Sequence, residues 1–159
     1  MPFISMSDKT QFNTKIMIFA EGTILKPKSF LTIYNHKSYK PIGNAAALIA
    51  NWAAQGAEII YCTSRKGKQA VEIAELLCKH GFQGTRLYYR DNCQKYKDLV
   101  EAVNPNILIE DDCRSIGGNW QMCITYVEPQ IKNAIKSIIV KEFSGIDHLP
   151  CTIQELSLK

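Results

Sequence analysis

No two cysteines stand at CxxC spacing, and no paired cysteine and histidine motifs of a zinc site occur. That argues against a zinc centre, and six scattered thiols (Cys62, Cys78, Cys93, Cys113, Cys123, Cys151) suggest no disulfide framework. The opening residues, MPFISMSDKTQFN, lack the basic start and unbroken apolar run of a secretory leader, and no later stretch reaches membrane-spanning length. Dense Lys/Arg stripes are missing too: a net charge of +4 and a pI near 8.7 give a weak positive field, suited to attracting phosphorylated ligands and short of what a nucleic-acid binder carries. Repeats and low-complexity tracts are absent. The expectation is a reduced, cytoplasmic protein with no membrane or nucleic-acid partner, and association of identical copies is left open.

What is present is one domain's worth of apolar residues, 46% hydrophobic and 21% charged in 159 residues. We read 1–14 as a flexible N-terminal tail, 15–150 as the domain and 151–159 as a C-terminal tail. KIMIF at 15–19 is a fully apolar run closed by Glu21-Gly22-Thr23, as expected of a strand buried on both faces. From 25 to 41, Pro27, Ser29, Asn35, His36 and Pro41 break any period, and a flap or small hairpin is expected, with Phe30, Ile33, Tyr34 and Tyr39 exposed. It is too short for a cap domain.

Helical spacing over 44–55 ends at Gly56 and leads to a second strand, 58–62 (EIIYC), closed by Thr63-Ser64-Arg65. A helix over 68–80 with Val71, Ala74 and Leu77 or Cys78 inward, a strand at 86–89, a short helix at 96–103 and a strand at 107–109 follow in order. That last strand runs into Glu110-Asp111-Asp112. Strands are also expected at 122–127 and 137–140, flanking a helix that starts near Pro129. Regular alternation of strand and helix predicts an α/β three-layer sandwich: a mainly parallel, Rossmann-like sheet with helices on both faces. Ligands of such sheets bind beyond the carboxyl ends of the strands. Glu21, Thr63, Ser64, Asp111 and Asp112 all fall there.

Each of these has a plainer explanation. Glu21 can accept turn N–H groups, Thr63 and Ser64 can cap the following helix, and Asp111-Asp112 can form a solvated acidic turn. Lys97 can be an ordinary surface lysine, with Lys95 competing for any role at a site. His36, His80 and His148 read as surface or core-edge residues, and Cys113 as a small buried side chain beside the acidic pair. Gly117-Gly118 lets the chain turn after the acidic pair. Asp147 and His148 lie in a segment, KEFSGIDHLP, for which the sequence gives no role beyond docking.

In order, IMIFAEGTI, IIYCTSR, KYKDL and ILIEDD resemble the four motifs of the haloacid-dehalogenase-like superfamily: DxDGT after a strand, Ser/Thr after a strand, a Lys, and paired acids after a strand. The resemblance covers roughly 15–140. It implies a HAD-like sheet without a large cap, a magnesium ion and a phosphorylated small-molecule substrate. Glu21, Asp111 and Asp112 would hold the metal; Gly22, Thr23, Thr63, Ser64 and Lys97 would bind the phosphate; Glu21, Thr63 and Lys97 would take the catalytic roles. The first motif departs from the family. Alignment on Gly22-Thr23 puts Glu21 at the second, acid/base Asp and Phe19 at the nucleophile, and a one-residue shift puts Ala20 there; neither side chain can attack phosphorus. The chain is thus expected to hydrolyse phosphoesters weakly and atypically, with Glu21 or metal-bound hydroxide activating water. The alternative is an inactive binding or regulatory module of the same fold, and a scaffold acting through the flap is a third reading.

Overall fold

The computed structural model describes residues 14–158. The expected tail at 1–13 lies outside them, and Thr14 already begins the first strand. Twelve elements matter here: β1 (Thr14–Phe19), β2 (Leu25–Lys26), β3 (Lys40–Pro41), α1 (Ala45–Ala54), β4 (Ala57–Cys62), α2 (Gly67–Lys79), β5 (Arg86–Tyr88), α3 (Tyr96–Val103), β6 (Ile107–Asp111), α4 (Pro129–Ala134), β7 (Lys136–Val140) and α5 (Ile153–Leu156).

Five strands pair in the order β5-β4-β1-β6-β7, every neighbour parallel. The chain winds outward from β1 through β4 to β5, then crosses back to β6 and β7. Its direction therefore reverses beside β1, where β1 and β6 adjoin, and in parallel sheets that is where a crevice opens at the carboxyl ends. Burial on both faces explains the unbroken apolar runs. Ile16, Ile18, Ile59, Tyr61, Ile107 and Ile109 pack under α1 and α2 with Trp52, Ile49, Ile73 and Leu77. Met17, Ile60, Cys62 and Leu108 alternate to the other face, under Leu99, Val100 and Val103 of α3. The result is the expected three-layer, Rossmann-like sandwich.

Several local expectations need correction. Residues 122–127 are not a strand: Cys123–Tyr126 is a 3-10 turn, because the Glu110 carboxylate takes the N–H groups of Cys123 (2.6 Å) and Ile124 (3.0 Å) that a ladder would have used. The strand expected at 107–109 runs on to Asp111, since β7 pairs with it as far as Val140. The inner stripe of α2 is Ala70, Ile73, Ala74 and Leu77, and Val71 faces outward. A stripe spaced i, i+3, i+4, i+7 starting at Ala70 buries more apolar surface than one starting at Val71.

The flap is a two-stranded ribbon, β2 against β3, joined by 3-10 turns at Phe30–Thr32 and His36–Ser38. Phe30 and Tyr34 are exposed as expected, but Tyr39 is buried, its hydroxyl donating to the Ile33 carbonyl at 2.7 Å. His36 tucks under the flap and meets Glu72 of α2 at 2.5 Å. At the far end Leu156 of α5 is buried in the core. The Trp52 indole donates to the Pro150 carbonyl at 3.0 Å, so 150–156 is docked on α1. Asp147 accepts the Asn44 N–H at the start of α1 through both oxygens, at 2.9 and 3.0 Å. Among the described residues no helix is long and apolar enough to cross a membrane.

Candidate functional site

After Phe19 the chain folds back on itself within five residues. The Ala20 carbonyl accepts from Ile24 and Leu25 (3.0 and 2.9 Å), and the Gly22 N–H donates to the Leu25 carbonyl at 2.9 Å. Gly22 has φ +84, and a Cβ on it would stand 2.7 Å from Asp111 Oδ1, so only glycine lets β1 and β6 close on each other here. Phe19 turns to the α3 face and meets the Tyr96 ring edge-on at 5.5 Å between centroids, while Ala20 is buried beneath α1. Of the two positions the resemblance offers for a nucleophile, Ala20 is thus buried in the core and Phe19 is half-buried against it.

Glu21 projects from the same turn. Its Oε1 accepts from the Thr63 hydroxyl at 2.5 Å and its Oε2 from the Ser64 N–H at 3.3 Å; Arg65 Nε lies 3.9 Å from Oε1. The fully buried Thr63 also accepts the Arg65 N–H at 3.1 Å. Thus the Thr63-Ser64-Arg65 turn after β4 is wrapped around one carboxylate.

Asp111, at the end of β6, accepts from the Thr23 hydroxyl (3.3 Å) and the Cys113 N–H (3.0 Å). Burial raises its pKa, and the charge of Glu142 adds to the shift. Asp112 Oδ1 accepts the N–H groups of Arg114 (3.3 Å) and Glu142 (3.1 Å). Glu142, just past β7, accepts from Ser115 N–H and Oγ at 2.8 and 2.6 Å. Asp111, Asp112 and Glu142 each offer an oxygen, all within 4.8 Å of one another, the one such carboxylate group among the described residues. These are hard oxygen donors, the type a small divalent cation prefers.

Of the three carboxylates expected to hold a metal, two, Asp111 and Asp112, lie together in this group. Glu21 shares the rim with Asp111, but its oxygens are held by the β4 turn, and Glu142 completes the acidic group. Sequence reasoning passed over Glu142, although it follows a parallel strand by two residues, as Glu21 does. Lys97 departs further from expectation. Its ammonium lies 3.4 Å from Glu101, 3.7 Å from Asp98 and 3.9 Å from Glu128, so its charge is taken up by α3 and the start of α4. Lys95 is exposed at the start of α3, where its N–H donates to Asp98 at 2.7 Å.

Two arginines that sequence reasoning overlooked follow neighbouring strands, and one of them, Arg65, lies beside Glu21. Arg65 follows β4, and Arg90 follows β5 with its guanidinium 3.9 Å above the Tyr96 ring. Each has a solvent-shielded Nε with no hydrogen-bond partner. Arg65 and Arg90 thus stand beyond β4 and β5, Asp111, Asp112 and Glu142 at or beyond the ends of β6 and β7, and Glu21 beyond β1, which lies between β4 and β6. Cys113 carries no reactive thiol, because burial and the Asp111 charge push its pKa up to about 12.

No protein-family model matches the chain, and no curated protein matches it. Solved structures do. Two structures of the Pnkp1/Rnl/Hen1 RNA repair complex match at 15% identity with TM-scores of 0.58 and 0.59, over 81% and 87% of this chain. The fold is shared. This chain spans 43% and 50% of the matched chains, about half their length. A D,D-heptose 1.7-bisphosphate phosphatase from B. bronchiseptica, complexed with magnesium and phosphate, is similar at 10% identity, with a TM-score of 0.48 over 82% of this chain and 94% of that one. At 15% identity the likeness to the repair-complex chains concerns the fold alone, a parallel sheet with its helices.

Proposed function

We propose that the rim binds a magnesium ion together with a phosphate ester, in a HAD-like site that has lost covalent phosphoryl transfer. The observation that carries this reading is the convergence of Asp111, Asp112 and Glu142 at the carboxyl ends of β6 and β7, with Arg65 and Arg90 across the rim. The three carboxylates would hold the cation, which supplies charge neutralisation for phosphate oxygens. Arg65 and Arg90 would take the anion-binding role first expected of Lys97, since a guanidinium suits planar, bidentate recognition of phosphate. Ser64 and the Gly22-Thr23 turn line the same edge. Thr63 orients Glu21. Phe19 and Ala20 offer no carboxylate at the positions where the family forms its aspartyl-phosphate.

Calorimetric titration with magnesium is the direct test. Binding is expected in the parent protein, with affinity reduced at least about tenfold in Asp111→Asn and in Glu142→Gln and nearly unchanged in Glu21→Gln. Absence of a binding heat in the parent overturns the reading. A second reading, slow hydrolysis by an activated water, is favoured by the position of Glu21 two residues past β1, the strand next to β6. It requires phosphate release from a phosphoester panel that disappears in Glu21→Gln while magnesium still binds.

A further inference from the structure

Charge is segregated along this chain in a way its total of +4 conceals. No Asp or Glu occurs between Glu21 and Glu58, whereas Lys26, Lys28, Lys37 and Lys40 all fall in the flap. Glu72 neutralises Lys37 at 3.3 Å, but among the described residues no carboxylate lies within ion-pair distance of Lys26, Lys28 or Lys40. Between these lysines the flap presents Phe30, Leu31 and Tyr34, which are 85%, 95% and 90% exposed.

The platform is built rather than loose. The Thr32 hydroxyl accepts the Ser29 N–H at 3.1 Å and donates to the Ser29 carbonyl at 2.9 Å, which closes the turn that carries Phe30 and Leu31. Tyr39 anchors Ile33 from below, and His36 ties the next turn to α2. The flap also joins the rim: Tyr39 lies beside the Arg65 guanidinium.

Exposed aromatic faces interleaved with free lysines match the chemistry of single-stranded nucleic acid, whose bases stack on rings while its phosphates meet ammonium groups. We infer that the flap is a docking platform for single-stranded nucleic acid, which makes a strand bearing a terminal phosphate the ligand of the rim. The inference deepens the proposed phosphate-ester site and rests on it only for the strand's end. An anionic bilayer would also attract lysines and accept Phe30 and Leu31. A strand is favoured because two of the three exposed flap side chains, Phe30 and Tyr34, are aromatic rings on which bases stack, and because Tyr39 brings the flap beside the Arg65 guanidinium at the rim.

The test is fluorescence anisotropy of a short, 3′-phosphorylated, fluorescein-labelled oligothymidylate titrated with the full chain in EDTA. Saturable binding is expected, with Kd on the order of 10⁻⁵ M and a slope of log affinity against log salt near −2, since each phosphate neutralised on a single strand contributes about −0.7. Phe30→Ala/Tyr34→Ala should weaken binding by about tenfold or more. Lys26→Ala/Lys28→Ala/Lys40→Ala should flatten the slope. All five positions are solvent-facing or half-buried, and circular dichroism melts check that the variants fold. No saturable change, or a Phe30→Ala/Tyr34→Ala variant that binds as tightly as the parent, overturns the inference. So does capture by phosphatidylserine vesicles when no oligonucleotide is bound. Magnesium calorimetry reads the rim separately: oligonucleotide binding without magnesium binding would leave the flap inference standing and remove the rim reading.

Discussion

Replacing Gly22 with alanine tests the closure of β1 on β6, and its cost can be worked out in two parts. With φ at +84, any Cβ pays the left-handed backbone penalty of about 1–2 kcal/mol. The new methyl would also stand 2.7, 2.8 and 2.9 Å from Oδ1, Cγ and Oδ2 of Asp111. The carboxylate must move, yet the Thr23 hydroxyl and the Cys113 N–H hold it. Losing one such bond to a buried charged group costs about 1.5–3 kcal/mol. Together the parts give about 2.5–5 kcal/mol, or a Tm lowered by roughly 5–20 °C for a chain of this size. Gly56 is the control. Its φ is +93 and nothing lies within 4 Å of its would-be Cβ, so Gly56→Ala pays only the backbone part. Urea denaturation of both variants isolates the contact with Asp111 as their difference, and Gly22→Ala should also weaken magnesium binding. Adding Asp111→Ala to Gly22→Ala should cost less than the sum of the two single changes, because the clash is gone. Equal losses in Gly22→Ala and Gly56→Ala, to within about 0.5 kcal/mol, would refute the reasoning.

Other outcomes follow from the same geometry. Burial raises the pKa of Glu110 from 4.5 to about 7, against the lowering effect of two backbone N–H donors. A folded-state value above the unfolded one means stability that is fully present below about pH 4.5 and is lost as pH rises through about 7, amounting to roughly 3 kcal/mol. The stability of the parent relative to Glu110→Gln should therefore fall between pH 5 and pH 8 in denaturant titrations, and a constant difference would count against it. The hydrogen bond from His36, with Lys37 adding to it, lowers the pKa of Glu72, so the carboxylate stabilises the flap above its unfolded pKa and releases it as pH falls through the lowered value. Hydrogen exchange of flap amides should quicken in Glu72→Gln at neutral pH and quicken less on acidification than in the parent. Cys93 and Cys151 are exposed and should react first with a thiol reagent in the native protein, whereas Cys62 and Cys123 should react only on unfolding, as read by mass spectrometry.

The sheet was legible in the amino-acid order because strands buried on both faces leave a local mark. Runs such as Lys15–Phe19 and Glu58–Cys62 carry almost no polar residue, and glycines 56 and 81 stand after helical periods. Alternation of such runs with helices leaves few topologies, and acids and hydroxyls placed just after strands must then share one rim. Local pattern failed where a distant partner decides. Residues 122–127 have a strand's composition, yet Glu110 draws their N–H groups into a turn. Lys97 stands in the order the motif suggests, but Glu101 and Glu128 hold its charge.

The sequence by itself determined the parallel sheet, the rim to which Glu21, Thr63 and Asp111 belong and the absence of a nucleophile at Phe19 or Ala20, because each depends on residue type and spacing along the chain. Tertiary structure alone decided that Glu142 joins Asp111 and Asp112, that the Arg90 guanidinium lies over the Tyr96 ring, and that Glu21 is held by Thr63. Those pairings depend on which strand lies beside which and in what register, and residues thirty positions apart meet only after β7 has paired with β6.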